Sequence, residues 1–330
     1  GWVAPDKYVC RTCIYDKYLG DVIDSAATVT TCDYCEQSSD SAIAAPMSAL
    51  LEPIADAVRY YFEEPAVAGV PYDEGFVIEH IDTYGVLYDL GLDCDEKVFS
   101  DVVQSFANCY WVAAAQGHWA GSHEHERLRD SWNGFVHAVK HETRFHFGLR
   151  PASSSAGLQE LEPGEMLGAI GRGVSNLSLV TEIAGDVALY RVRVRAPADK
   201  WEPDSSSLSA PPNERARAGR MNPAGISYFY GALEKETAIA ETVGAPPQHV
   251  VVGIFKTARS LTVLNLCNLP SRPSIFDSGM RVDREWIVFL EGFVESISKP
   301  VRKDGSEHID YVPSQVVCEW FAQVFEPPGD

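Results

Sequence analysis

Apolar residues recur at helical spacing along much of the first half of the chain. In "MSALLEPIADAVRYYFEE", Leu50, Leu51, Ile54, Val58 and Tyr61 fall on one stripe, and Pro53, early in the pattern, suits a first helical turn. "VFSDVVQSFANCYWVAAAQ" repeats the stripe with Val98, Val102, Phe106 and Ala113. A third stripe runs through "DSWNGFVHAVKHETRF" with Trp132, Phe135, Val136 and Val139, where Asp130 or Ser131 is placed to cap the helix. Polar "EQSSDS" reads as a linker ahead of this block, and "RPASSSAG" at 150–157 as its far boundary. The pattern predicts a small module over 1–40, a helical domain over 41–150 and a further domain over 151–330.

After residue 157 the period changes. "ALYRVRVR" alternates strictly, with Tyr190, Val192 and Val194 on one face and Arg191, Arg193 and Arg195 on the other, which predicts a strand. "ISYFY", "HVVVGIFKT" and "SLTVLNL" carry the same β character, while "EKETAIAETVG", "DREWIVFLEGFVESISK" and "SQVVCEWFAQVF" read as helices. Between 199 and 219 runs a polar, Pro- and Ser-rich loop of the length found in functional lids or disordered segments. The predicted class is α+β, helical in front and mixed behind, with no internal repeat.

Charge removes two classes of function. Asp and Glu outnumber Lys and Arg by 47 to 27, a formal net charge of −20. Nucleic-acid binding needs cationic surface to displace counterions, and docking on an anionic membrane needs the same. No apolar run approaches the length of a membrane-crossing helix. The start, "GWVAPDKYVC", lacks the basic region and apolar run of a secretory signal, so a cytoplasmic protein without disulfides is expected. Of the 8 cysteines, Cys94, Cys109, Cys267 and Cys318 are scattered in apolar surroundings and read as small core residues.

The remaining four are different. Cys10, Cys13, Cys32 and Cys35 form two CxxC pairs separated by 18 residues, the spacing of a zinc ribbon. Each CxxC turn presents two sulfurs at the bite that tetrahedral Zn2+ requires. Four thiolates leave no open position, so the expected zinc is structural. Two redox pairs are the competing reading. "GHWAGSHEHERL", with His118, His123 and His125 beside Glu124 and Glu126, is a weaker metal candidate, because polar residues at a helix start are usually only solvated.

The stretch "GRMNPAGISYFYGALEKETAIAET" predicts a loop, a strand and a helix. On pattern alone Tyr230 is a strand aromatic and Glu241 a solvated helix residue. Together with "YRVR" before it and "YVPSQ" after it, however, the string resembles the RES domain. The resemblance covers about residues 185 to 330, with five motifs in the family's order. It implies a fold like that of ADP-ribosyltransferases, a mixed sheet split by a cleft, and a toxin-type enzyme that consumes NAD. It further implies that Arg191 and Arg220 hold the diphosphate, that Tyr230 lies in the active site, that Glu241 is the catalytic carboxylate, and that Ser314 supplies a late hydroxyl. The front region is similar, more loosely, to the helical HEPN-like modules of larger RES proteins. The Arg-x4–6-His motif of a ribonuclease of that class is missing: Arg129 to His137 is too long and Arg144 to His146 too short.

These residue types suit the implied chemistry. Cleaving the nicotinamide–ribose bond passes through an oxocarbenium-like state, and nicotinamide leaves without protonation. One carboxylate, Glu241, then suffices to stabilise the developing charge. Arginine forks match phosphate oxygens, and a tyrosine ring can stack on nicotinamide. Asn222 has a plainer role available, satisfying its own turn. "GAIGRG" at 168–173 lacks a preceding strand, so a recycled dinucleotide carrier is not expected. Water, phosphate or a protein acceptor for ADP-ribose would all attack the same carbon. An antitoxin or immunity protein is the partner that the resemblance implies. The alternative is that the zinc and helical region binds a partner or senses a signal, behind an inactive RES-like scaffold.

Overall fold

The computed structural model describes residues 1–73, 75–106, 110–149, 160–196, 202–244, 249–301 and 305–327. Two compact units result, Gly1–Leu128 with Ser271–Phe289, and Arg129–Pro270 with Leu290–Asp330. Both mix helices with short strands, so the class is α+β. No helix among the described residues is long and apolar enough to cross a membrane.

The first unit is built around helix Met47–Tyr61. Leu50, Leu51, Ile54 and Val58 are at most 1 % exposed, so the predicted stripe is the buried face. Leu19 and Ile23, Val86 and Leu87, and Val98 and Val102 close the core from helices Lys17–Ala26, Thr83–Asp89 and Glu96–Ser105. Burial of each such side chain contributes roughly 1.5–3 kcal/mol. Asp16, Asp82 and Asp95 cap these three helices by accepting from the N–H groups of Leu19, Gly85 and Lys97.

Two expectations change here. Pro53 lies inside its helix, and the cap position belongs to Pro46. The helix from Glu96 stops at Ser105, and Tyr110–Ala113 is instead a strand, paired antiparallel with Phe62–Glu63 and Ile81–Asp82. Trp111 and Val112 are both buried there, and the Trp111 indole N–H donates to Thr83 Oγ1 at 3.0 Å. Aromatic and β-branched residues side by side favour the pleat over another helical turn. Cys109 lies outside the described residues.

In the second unit, helix Pro163–Asn176 opens with a reciprocal cap between Glu162 and Glu165. "GAIGRG" lies within this helix, away from any phosphate-binding turn. A Cβ on Gly171 would come within 2.7 Å of the Trp320 ring, so glycine lets helix Val312–Gln323 approach closely. Helix Glu124–His137 starts well before the predicted cap. Ser131 is buried within it, and its Oγ accepts from the Leu161 N–H at 2.9 Å. Trp132 and Phe135 stack 5.2 Å apart, and Phe293 meets Trp132 edge-on at 4.9 Å.

Strand Ala188–Arg195 forms as predicted and pairs antiparallel with His249–Lys256, Arg191 standing opposite Gly253. Val180–Ile183 pairs antiparallel with Leu261–Leu264. Among the described residues every ladder is antiparallel, in place of the mixed sheet expected. "ISYFY" joins no ladder; beside it only Ala232 bridges, to Tyr190. Its polar groups serve the preceding loop instead. Ser227 N–H donates to Asn213 Oδ1 at 3.2 Å, and Ile226 O accepts from Asn222 Nδ2 at 2.8 Å. Side chains that bond the backbone locally compete with ladder formation. The described part of the 199–219 loop is packed down. Leu208 is buried beside Gly253, and Arg193 Nη2 donates to Ser209 O at 3.1 Å.

Candidate functional site

Strand Ala188–Arg195, the extended segment before Ala232 and helix Lys235–Thr242 together wall an open cavity of about 370 Å³. Arg191, Tyr230 and Glu241 all line it, with Met221 at one side and Cys318 reaching in from helix Val312–Gln323. Tyr190, Tyr228 and Phe229 make the remaining wall strongly aromatic.

Arg191 is the electrostatic oddity. Its guanidinium carbon lies 5.1 Å from the Phe229 ring centre, a cation–π contact, yet Nη1 is fully buried and has no hydrogen-bond partner among the described residues. Burial, then Arg193 alongside, lowers its pKa from the ordinary arginine value. A guanidinium nevertheless stays charged in a protein, so the cavity wall carries an unanswered cation. Glu241 is exposed near the end of its helix, facing the same space.

Tyr230 is held by its far end. Its hydroxyl donates to Asn222 Oδ1 at 2.7 Å and accepts from the Met221 N–H at 3.1 Å. Burial raises the phenol's pKa. The residue is still 43 % exposed, so the ring remains accessible from the cavity.

Arg220 and Ser314 stand elsewhere. They line a second, polar cavity of about 90 Å³ with Lys140, Lys299 and Asp310. Arg220 Nη1 donates to the carbonyls of Ile297 and Ser298, the C-terminal end of helix Arg281–Ser298. Cations are favourable at such an end. Ser314 is buried, and its Oγ lies 2.5 Å from Arg220 O and 3.0 Å from Tyr311 O. Asn222 does satisfy its turn, donating from Nδ2 to the carbonyls of Arg217, Pro223 and Ile226. Sequence reasoning missed Gln315, which lies inside the quoted "YVPSQ" and whose Nε2 donates to Gly219 O at 2.7 Å and Asn222 O at 3.0 Å. It also missed Tyr228, whose pKa burial and then Cys318 push up to about 12.

The four cysteines converge at the start of the first unit. Their sulfurs lie within 4.8 Å of one another, and three of the four residues are buried. Separations of 3.8 Å for Cys10–Cys13, 3.5 Å for Cys10–Cys35 and 3.9 Å for Cys13–Cys32 match the edge of about 3.8 Å that a zinc tetrathiolate with bonds of about 2.3 Å would have. The Cys10 N–H points to Cys32 Sγ at 3.3 Å, support that favours a thiolate. This donor set fits a structural metal ion.

The histidines near 120 do not gather as ligands; among the described residues the cysteines are the one such group. His125 Nδ1 lies 2.5 Å from Glu285 Oε2, whose carboxylate is buried and also accepts from Tyr61 OH at 3.2 Å. His123 is wedged against the rings of Tyr60 and Tyr61 at 5.0 and 4.9 Å.

An α+β unit with an open, aromatic, arginine-bearing cavity is thus joined in one chain to a unit with a tetrathiol centre. Residues 188–328 match the RES domain, and residues 25–153 match HEPN/RES N-terminal domain 1. The chain thus contains a RES domain preceded by the N-terminal domain that accompanies it, the pairing its motifs implied. No curated protein and no solved structure matches it.

Proposed function

We propose that the 370 Å³ cavity binds NAD and that the protein breaks the nicotinamide–ribose bond. The observation that carries this reading is the buried, unpartnered Nη1 of Arg191 in a wall shared with Tyr230 and Glu241. An orphaned buried donor costs free energy, which an anionic ligand would recover. The diphosphate supplies that anion, the Tyr230 ring receives the nicotinamide, and Glu241 faces the ribose.

As the C–N bond breaks, nicotinamide leaves with the bonding pair and the ribose carbon becomes electron-poor. Glu241 stabilises that charge, and the stabilisation grows toward the transition state, as rate enhancement requires. Water then forms the new C–O bond and gives its proton to solvent, yielding ADP-ribose; phosphate or a protein hydroxyl would serve as well. Arg191 lines the cavity, and its buried Nη1 would meet phosphate once the side chain turns outward. Arg220 would join only by giving up the carbonyls of Ile297 and Ser298. Ser314 would likewise have to leave Arg220 O.

We further assign zinc to Cys10, Cys13, Cys32 and Cys35, on the sulfur separations. A toxin-type role, restraint by an antitoxin or immunity protein, and a cytoplasmic setting where thiols stay reduced complete the reading. The test is nicotinamide release from NAD by the wild type and by Glu241→Gln, with and without phosphate. Release by the wild type and its loss in a folded variant are expected. Equal release by both would remove Glu241 from the mechanism.

A second reading, in which the front unit binds a partner, has one observation of its own. A groove of about 760 Å³ runs between helices Lys17–Ala26 and Met47–Tyr61, with Asp21, Glu52 and Asp56 against Arg59. Asp21 already pairs with Arg11 and Asp56 with Arg281, so a basic segment would have to compete with those two ion pairs. Charge reversal at Asp21 and Glu52 that spares nicotinamide release but weakens binding of a polylysine probe would support it.

A further inference from the structure

The loop that precedes Tyr230 is held far more firmly than a surface turn requires. Asn222 is 3 % exposed and spends its whole side chain inside this loop. Its Nδ2 bonds three carbonyls, and its Oδ1 takes the Tyr230 hydroxyl. From helix Val312–Gln323, Gln315 clamps Gly219 O and Asn222 O, while Ser314 holds Arg220 O. Gly219 admits this packing because a Cβ there would come within 2.8 Å of both Asn222 Oδ1 and the Tyr230 hydroxyl.

We propose that Asn222 is a positioning residue that fixes the Tyr230 ring as a preformed wall of the cavity and withdraws its hydroxyl from the reaction. The hydroxyl has one proton, which goes to Asn222 Oδ1, and it accepts the Met221 N–H. Its proton is thereby committed away from substrate, and the ring face is what the cavity receives. The Asn222 carboxamide couples that ring to the backbone of residues 217–226, whose Gly219 and Asn222 carbonyls Gln315 ties to a helix. A ligand stacking on Tyr230 therefore meets a surface whose ordering is complete before binding, which lowers the entropic cost of association.

The inference deepens the NAD reading, and its test separates the two. The protein is labelled with 3-fluorotyrosine, and the fluorine signal of residue 230 is assigned by its absence in Tyr230→Phe. Asn222→Ala is expected to move that signal in the ligand-free protein, where turnover plays no part. In kinetics, Tyr230→Phe keeps the ring and loses the tether. It should raise KM for NAD about tenfold with kcat within about threefold. Because the Tyr230 ring is accessible, this variant folds even where Asn222→Ala does not. An unmoved fluorine signal in folded Asn222→Ala overturns the proposal. So does a hundredfold fall in kcat at constant KM for Tyr230→Phe, since the hydroxyl would then be handling a proton. A wild type that releases no nicotinamide sinks the NAD reading alone, and an Asn222-dependent signal still supports the tether.

Discussion

The tetrathiol centre and the arginine cavity were built by opposite routes. The centre draws its four donors from residues 10 to 35, two tight turns that fix geometry locally. The cavity draws on Arg191 and Glu241, fifty positions apart, brought to one wall by a strand and a short helix. The centre is mostly buried and closed by its own ligands, whereas Tyr230 and Glu241 are exposed. A closed local knot suits holding a fold together; an open wall assembled from distant pieces suits binding something that comes and goes. Variants at the first should act on stability, and variants at the second on binding.

The largest effect is expected at the centre. Structural zinc sites carry apparent binding free energies of about 10–16 kcal/mol, comparable with or greater than the stability of a whole domain. Chelation, or Cys32→Ala, should therefore unfold the part of the first unit around helix Lys17–Ala26. Loss of helical circular dichroism and a stoichiometric release of one zinc per chain would check it. A chain that keeps its melting curve after complete metal removal would put the cysteines to another use.

The same contrast explains what the sequence disclosed. CxxC spacing is readable because two turns suffice to set it, and the register of Arg191 is readable from strict alternation over 188–195. Helix Lys235–Thr242, with Glu241 near its end, follows from local pattern as well. "ISYFY" misled because its composition is that of a strand, while Asn222, Asn213 and Pro211 take the backbone and side-chain bonds around it. Arg220 could not be placed by pattern either. Its side chain answers the end of helix Arg281–Ser298, some 77 positions on, and no local periodicity encodes that. Tyr110–Ala113 was hidden for a related reason: two partner strands, distant in sequence, decide it.

Arg191→Ala should give the next largest effect, and mainly on binding. Charge-assisted hydrogen bonds contribute about 1.5–3 kcal/mol, so NAD affinity should fall roughly 10- to 150-fold by calorimetry. Nη1 has no hydrogen bond to lose among the described residues, so the cost is confined to the Phe229 cation–π contact and side-chain packing, and the melting temperature should fall by no more than about 4 °C. A lower melting temperature with unchanged affinity would make Arg191 a packing residue and erase the contrast between the two regions.

Ser314→Ala should act the other way round, although it belongs to the second unit. The hydroxyl is buried and holds Arg220 O, and its removal leaves that carbonyl short of a donor. The expected cost is about 1 kcal/mol, or roughly 2–4 °C in the melting temperature of a unit of this size. NAD affinity should change little. A selective loss of affinity at constant stability would move Ser314 to the ligand side.

The smallest effect is a pH dependence confined to the first unit. Burial, chiefly, lowers the pKa of His123 from its model-peptide value of 6.5, against the opposing pull of Glu285 and Glu126 and with some help from His125. Tyr60 and Tyr61 press on its ring and offer no charge. The native state therefore keeps His123 neutral where the unfolded chain would take up a proton. Stability rises with pH wherever the unfolded state binds more protons, so this contribution is present above about 6.5 and is lost as pH falls through the native value. Glu285 acts with the same sign lower down. Burial opposes its ionisation, but hydrogen bonds from the His125 ring and backbone outweigh that and hold its pKa below 4.5. Melting temperature should stay level from pH 8 to 7 and decline from about 6.5. His123→Gln should remove the upper part of the decline and leave the lower part in place. An identical decline in the variant would assign the acid sensitivity to the Glu285 pair or to the cysteines, whose metal affinity also falls as protons compete.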